Sequence, residues 1–202
     1  MDAKAQRKDG AEYSSAMLLE IAADMFRERG IAHTTMRNIA ERAGMKASSI
    51  YYHFASKDAI IDRILDRSIA EAIERIRRAL AELPQEAGFR VRLCAAVTAY
   101  LTTVNDYGTF FAVTRQLRSQ VSPEIAERNR QRRIELDQIW ANLFAEGHRA
   151  GDITISEKNT IERLFLLGAL NWATEWMDTS RKSPAELGQL ATSLFMDGIA
   201  PR

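Results

Sequence analysis

The chain has 202 residues, 46% hydrophobic and 27% charged, with 28 Lys and Arg against 27 Asp and Glu for a net charge of +1. That composition supports a full apolar core, and the near balance of charge argues against a protein that packages DNA through a uniformly basic surface. The single Cys94 excludes an intramolecular disulfide and fits a reducing cytoplasm, while the longest apolar run, Leu164 to Leu170, is too short to span a bilayer.

Residues 1–13 are polar and charged; they read as a flexible arm with no secretory signal. Leu18, Ile21, Ala22, Met25 and Phe26 then recur at helical spacing, and Gly30 ends this first helix. Thr34 and Thr35 can cap a second helix, whose apolar face is Met36, Ile39, Ala40 and Ala43. Gly44 stands where a helix C-terminus needs a positive φ. A short third helix follows. Its Ile50 and Phe54 lie four apart, so both can be buried, which leaves Lys46, Ala47, Ser48, Tyr52 and His53 nearer the outer side. Two short helices around a Gly-containing turn form the layout of a DNA-reading helix-turn-helix, whose second helix enters the major groove. Small and polar residues at the start of that helix let the backbone approach base edges. The tyrosine hydroxyls of Tyr51 and Tyr52, His53 and Lys57 can bond phosphates, which sets register rather than sequence. Between residues 31 and 57, four cations (Arg37, Arg42, Lys46, Lys57) face one anion, Glu41, a local balance of +3.

Ser56 caps a long helix carrying Ile60, Ile61, Ile64, Leu65, Ile69, Ile73, Ile76 and Leu80, which stops near Pro84. A helix over about 88–106 holds Phe89, Leu93, Val97, Tyr100, Leu101 and Val104. Gly108 separates it from a shorter one with Phe110, Phe111, Thr114 and Leu117. Ser122-Pro123 is a cap with proline at the first helical position, opening a helix that runs to about Ala150 and ends at Gly151. Ser156 opens the next, reaching about Thr179, and Ser183-Pro184-Ala185-Glu186 is a capping box for the last. No segment alternates with period two. The fold expected is all-α.

The N-terminal stretch resembles the DNA-binding domain of the TetR family of bacterial transcriptional regulators. The matching residues are Phe26 to Gly30 (FRERG), Thr34-Thr35, Arg37, Ile39-Ala40, Ala43-Gly44, Ile50 to Phe54 (IYYHF) and Lys57, within about residues 14 to 65. It departs from the family's pattern at Lys46, where a helix-capping Ser is usual, and at Ser48, where Gly is frequent. The resemblance implies three helices in a DNA-binding domain (14–58) and six in a ligand-binding and dimerisation domain (59–202). It implies DNA contacts by Thr34, Thr35, Arg37, Lys46, Ala47, Ser48, Ser49, Tyr51, Tyr52, His53 and Lys57. It also implies a homodimer on a palindromic double-stranded operator, joined through the last two long helices. Leu164, Phe165, Gly168, Ala169, Trp172 and Trp176 line one side of the first of these; Leu187, Leu190, Ala191, Leu194, Phe195 and Ile199 line the second. Such stripes can equally be intramolecular core.

The middle helices carry large apolar groups that could line a cavity or fill a core. The candidate effector contacts are Tyr100, Phe111, Thr114, Arg115, Arg118, Trp140, Phe144, Asn171, Trp172 and Glu175. The segment Arg115 to Glu124, with Gly168 to Trp176 (GALNWATEW), resembles a TetR subgroup that controls fatty-acid, steroid or other acyl-CoA breakdown. That implies an acyl-CoA effector, with arginines for its phosphates; the run Glu127 to Arg133 (ERNRQRR) supplies more of them, or is the solvated face of a long helix. Cationic drugs or dyes, met by Glu175, are the alternative effector, and a helical ligand-binding protein without specific DNA recognition is the alternative function. The histidines His33, His53 and His148 are scattered, and no phosphate loop, zinc spacing or nucleophile motif occurs, so neither an enzyme nor a metal or cofactor is expected.

Overall fold

The computed structural model describes the backbone of residues 3–117, 121–154 and 161–199, and side chains within 15–114, 121–154 and 161–197. The described secondary structure is helical: α1 (Ala3–Arg29), α2 (Met36–Arg42), α3 (Ala47–His53), α4 (Lys57–Ala81), α5 (Phe89–Asp106), α6 (Gly108–Leu117), α7 (Pro123–Arg149), α8 (Ile161–Asn171), α9 (Ala173–Trp176) and α10 (Pro184–Ile199). None of these helices is long and apolar enough to cross a membrane.

Two expectations change. The stretch expected as a flexible arm is helical from Ala3, continuous with α1; Ala, Lys, Gln and Arg are good helix formers, and no proline interrupts them. The single helix expected to reach Thr179 is instead broken at Trp172, and its proposed start at Ser156 lies outside the described residues. Its second piece, α9, is one turn. It stops early because the Asp178 carboxylate accepts both the backbone N–H and the hydroxyl of Ser180, a local turn that competes with helix. Among the described residues, counting α8 and α9 as one interrupted helix gives the nine expected.

The helix ends follow their capping chemistry. Thr35 accepts the Asn38 N–H while the Asn38 side chain accepts the Thr35 N–H, a reciprocal box at the start of α2. Ser56 and Ser183 cap α4 and α10 by hydroxyl acceptance of the Ala59 and Glu186 N–H groups. Gly44 adopts φ +69°, as its place after α2 requires.

The chain packs as two compact units, residues 1–67 with 109–129, and residues 68–108 with 130–202. In the first unit Arg128 pairs with Asp62 at 2.8 Å, the Asn129 amide donates to the Leu65 carbonyl, and the Arg67 guanidinium lies over the Phe110 ring. These contacts gather α6 and the first turns of α7 with the N-terminal helices. The core of this unit comprises Leu18, Ala22, Met25 and Phe26 of α1, Met36, Ile39 and Ala40 of α2, Ile50, Phe54, and Ile60, Ile61, Ile64 and Leu65 of α4.

In the second unit α5 is central, with α8, α9 and α10 packed on it. Phe144 meets Phe89 and Phe195 edge to face at 5.5 and 5.7 Å. Arg163 is buried and paired with Asp137, and loss of solvent lowers its pKa. α10 approaches α5 closely at Gly188, where a Cβ would run into the Thr98 side chain and stand 3.1 Å from its Cα. Gly188→Ala should therefore cost about 1–3 kcal/mol of stability through overpacking; an unchanged urea midpoint would refute this close fit.

Candidate nucleic-acid interface

The candidate surface is built on α3, a seven-residue helix anchored by two side chains. Ile50 is fully enclosed and Phe54, just past the helix, is nearly so. α2 packs on α3 and on α1, so the apolar faces of both short helices turn the same way, into the first unit. The opposite side of α3 is left in solvent. Tyr52 is 81% exposed and Tyr51 57%, both far beyond what a large aromatic usually shows. Lys46, Ala47 and Ser48 are exposed with them, and Ser49 and His53 are half-buried. The Tyr52 and His53 rings meet edge to face at 5.3 Å, which fixes their mutual angle.

The charges sort into held and open. Arg42 binds Glu28 of α1 through two hydrogen bonds, at 2.6 and 2.9 Å, and this pairing lowers the pKa of the Glu28 carboxyl. That bridge ties α2 to α1. Arg37 pairs with Glu41 one turn along α2 on an exposed face, a contact that solvent makes weak. Lys46, at the N-cap of α3, makes no side-chain capping bond. Lys46 and the first turn of α3 thus present an ammonium, small side chains and backbone N–H groups to whatever lies outside.

Of the other sequence-predicted contacts, Thr35 is exposed and caps α2, while Thr34 is buried and donates its hydroxyl to the Gly30 carbonyl at 2.9 Å. Thr34 therefore shapes the turn into α2. Lys57 is half-buried, with Nζ donating to the Ile31 and Thr34 carbonyls at 2.8 and 3.1 Å. Composition and spacing gave no signal for that bond, since its acceptors are backbone atoms more than twenty residues away.

The candidate effector residues do not form one cluster. Tyr100, Trp140 and Asn171 come together in the second unit: the Tyr100 and Trp140 rings meet at 6.1 Å, and the Tyr100 hydroxyl donates to Asn171 Oδ1 at 2.5 Å. Phe144 is enclosed in the aromatic contact described above. Trp172 and Glu175 are exposed on α9 and its approach. Phe111 and Thr114 belong to the first unit, where Thr114 is buried and bonds the Phe110 carbonyl. The side chains of Arg115 and Arg118 lie outside the described residues. Buried Arg163 was not foreseen, although its spacing to Leu166 and Leu170 along α8 puts it on their face.

The outer stripe of α8 stands in solvent. Leu164, Phe165, Gly168, Ala169, Trp172 and Trp176 are all exposed, Phe165 to 74%, while Leu166, Leu170 and Ala173 point into the unit. On α10, Leu190 and Leu194 are exposed, Leu194 to 70%, and Leu187, Ala191 and Phe195 are half-buried; the Ile199 side chain lies outside the described residues.

Residues 18–64 match the family model of bacterial regulatory proteins of the tetR family, and residues 86–199 match that of the tetracyclin repressor-like C-terminal domain. The HTH-type transcriptional repressor KstR2 of Rhodococcus jostii is 25% identical over 185 residues, 91% of this chain and 89% of that protein. KstR2 of Mycobacterium tuberculosis is 54% identical over 48 residues, 24% of each chain. Two solved structures share the fold. The ketosteroid transcriptional regulator KstR2 of Mycobacterium tuberculosis has a TM-score of 0.78 at 24% identity, over 93% of this chain and 95% of that one. PfmR of Thermus thermophilus has a TM-score of 0.79 at 21% identity, over 89% and 97%. With an N-terminal helix-turn-helix exposed as described and a matching C-terminal helical domain, the chain belongs to the TetR family of DNA-binding transcriptional regulators.

Proposed function

We propose that the chain is a homodimeric repressor that leaves a palindromic operator when its second unit binds an amphipathic anion of the acyl-CoA class. The observation that carries the DNA part is the outward face of α3, where Tyr51 and Tyr52 stand in solvent over a buried Ile50 anchor. Two such helices in a twofold dimer would enter successive major grooves, roughly 34–36 Å apart. Lys46, Ala47, Ser48 and Ser49 at the start of α3, with Tyr52, would meet bases, while Thr35, Arg37, Tyr51 and His53 would meet phosphates. Tyr52→Ala is expected to reduce discrimination between operator and random duplex by about tenfold, the loss of one base contact of about 1–3 kcal/mol. Fluorescence anisotropy on both duplexes measures it, after a binding screen on DNA flanking the chain's own gene has defined the operator. A folded variant with unaltered discrimination would remove α3 from the reading role.

The repressor assignment draws on the relatives named KstR2, one described as a ketosteroid regulator. The effector class draws on the enclosed aromatic groups Tyr100, Trp140 and Phe144, which suit a large apolar moiety, and on the arginines Arg130, Arg132 and Arg133 in the same unit of the chain. Exposed Glu175 and the aromatics would suit a flat cation instead. Titrating a labelled operator complex with CoA thioesters and with cationic dyes separates the two. Release by the thioesters is expected; release by cations alone would overturn the effector class. An effector acts here only through its differential affinity for DNA-competent and DNA-incompetent states.

A further inference from the structure

A cleft in the second unit shares no residue with the DNA surface or with the cluster around Tyr100. It lies between the start of α5, the end of α7 and the α4–α5 linker, has a volume of about 200 Å³, and is lined by Gln85, Phe89, Arg92, Leu143, Glu146 and Asp152 among others. We propose that this cleft binds a small zwitterion, a free amino acid with an aliphatic side chain.

The cleft is built by a turn and a long-range cap. Gly151, at φ +77°, turns the chain sharply after α7. Asp152 thereby comes to the first turn of α5, where its Oδ2 accepts the Phe89 N–H at 2.9 Å. Gly88, the N-cap residue of α5, has no side chain for that bond. The floor is apolar, since Phe89 and Leu143 are buried. A Cβ at Gly147 would run into the Phe89 ring, so α7 and α5 meet there without slack. The walls are charged. Arg92 donates from Nη2 to Glu146 Oε2 at 3.0 Å. Its Nε is enclosed and has no hydrogen-bond partner among the described residues. One carboxylate oxygen thus engages part of a guanidinium whose five N–H donors form a fork suited to two. The other oxygens, Glu146 Oε1 and Asp152 Oδ1, bond no described residue. A lone anion in this cleft would face both carboxylates, and a lone cation would face the guanidinium. A molecule carrying both charges a few ångströms apart meets each with its opposite. Its ammonium would lie on Glu146 and Asp152, its carboxylate on Arg92, and its side chain on Phe89 and Leu143. At about 200 Å³ the cleft is smaller than the roughly 300–1,000 Å³ of drug-sized sites and suits a ligand of amino-acid size. Binding would tie α5 to α7 about two turns along α5 from Tyr100. It would be a second input to this unit, independent of the acyl-CoA class proposed above.

Isothermal titration of the full-length protein with L-leucine, L-leucinamide and 4-methylpentanoate tests the proposal. The three share a side chain; the second lacks the carboxylate and the third lacks the ammonium. Leucine should bind saturably, one per chain. Each analogue should bind about tenfold more weakly or worse, the loss of one charge-assisted contact. Arg92→Met and Glu146→Gln should each weaken leucine binding about tenfold. Their own ion pair is partly exposed, so helix content and the urea midpoint should change little. Ala150, exposed where α7 ends, also lines the cleft. Ala150→Leu leaves every charge in place and fills the space, and should abolish leucine binding; it carries the decision should either charge variant fail to fold. Absence of saturable leucine binding would overturn the proposal. So would equal binding of leucine and either single-charge analogue, or leucine binding that survives Ala150→Leu or is unchanged in both charge variants.

Discussion

Leu194→Asp is expected to turn the protein into a monomer without unfolding it. In the single chain Leu194 is 70% exposed, so an aspartate there stays in water and the monomer loses little. In a dimer joined through α8 and α10 the same carboxylate would be buried without a partner, at a cost of about 3–5 kcal/mol. A twofold axis would place the substitution in the interface twice. One uncompensated charge alone raises the dimer dissociation constant roughly 10²–10⁴-fold. The neighbouring surface supports this assignment. Phe165, Trp172, Trp176 and Leu190 are exposed with it, aromatic and aliphatic groups of the kind that dominate stable interfaces. Sedimentation velocity at micromolar concentration should show wild-type dimer and variant monomer, with equal helix content by circular dichroism. Operator affinity should fall with the dimer, since a monomer engages one half-site. A wild-type chain that sediments as a monomer, or a variant that remains dimeric, would refute the interface.

The outer stripes of α8 and α10 were legible before the structure because helical periodicity reports which residues share a face. Periodicity could not say which face is covered by the chain itself: α8 carries apolar residues on both sides, and only Leu166, Leu170 and Ala173 prove to be inside. The helix-turn-helix was read almost residue by residue, since its signals are local: a threonine cap, a glycine at positive φ, and two inward apolar groups four apart. The long-range features were not legible. Lys57 bonds carbonyls, which every sequence contains; Arg42 pairs with Glu28 on another helix; and Asp62 meets Arg128 across 66 positions. The break at Trp172 was missed because α8 and α9 share one apolar pattern, while the Asp178 turn that ends α9 depends on the fold of a few polar atoms.

Trp140 allows core and effector roles to be separated in one residue. Its side chain is fully enclosed, and its Nε1–H has no hydrogen-bond partner among the described residues. An enclosed donor without an acceptor costs about 1–3 kcal/mol unless something bonds it. Trp140→Ala should remove about 3–5 kcal/mol of stability, the range for deleting a buried aromatic group and leaving its space. Trp140→Phe should be far milder. It loses some packing against Tyr100 but also removes the orphan donor, so the two terms largely offset and the net change should stay within about 1.5 kcal/mol. Urea unfolding in the Leu194→Asp background measures both, because a monomer keeps association out of the observed stability. The effector response is then read with Trp140→Phe in the otherwise wild-type dimer. If the indole N–H serves the effector, the variant should need about three- to tenfold more CoA thioester to leave the operator, the worth of one hydrogen bond, with operator affinity in its absence unchanged. An unaltered response would make Trp140 a core residue alone and move the effector's polar anchor to Tyr100 and Asn171, which share a short hydrogen bond in that cluster.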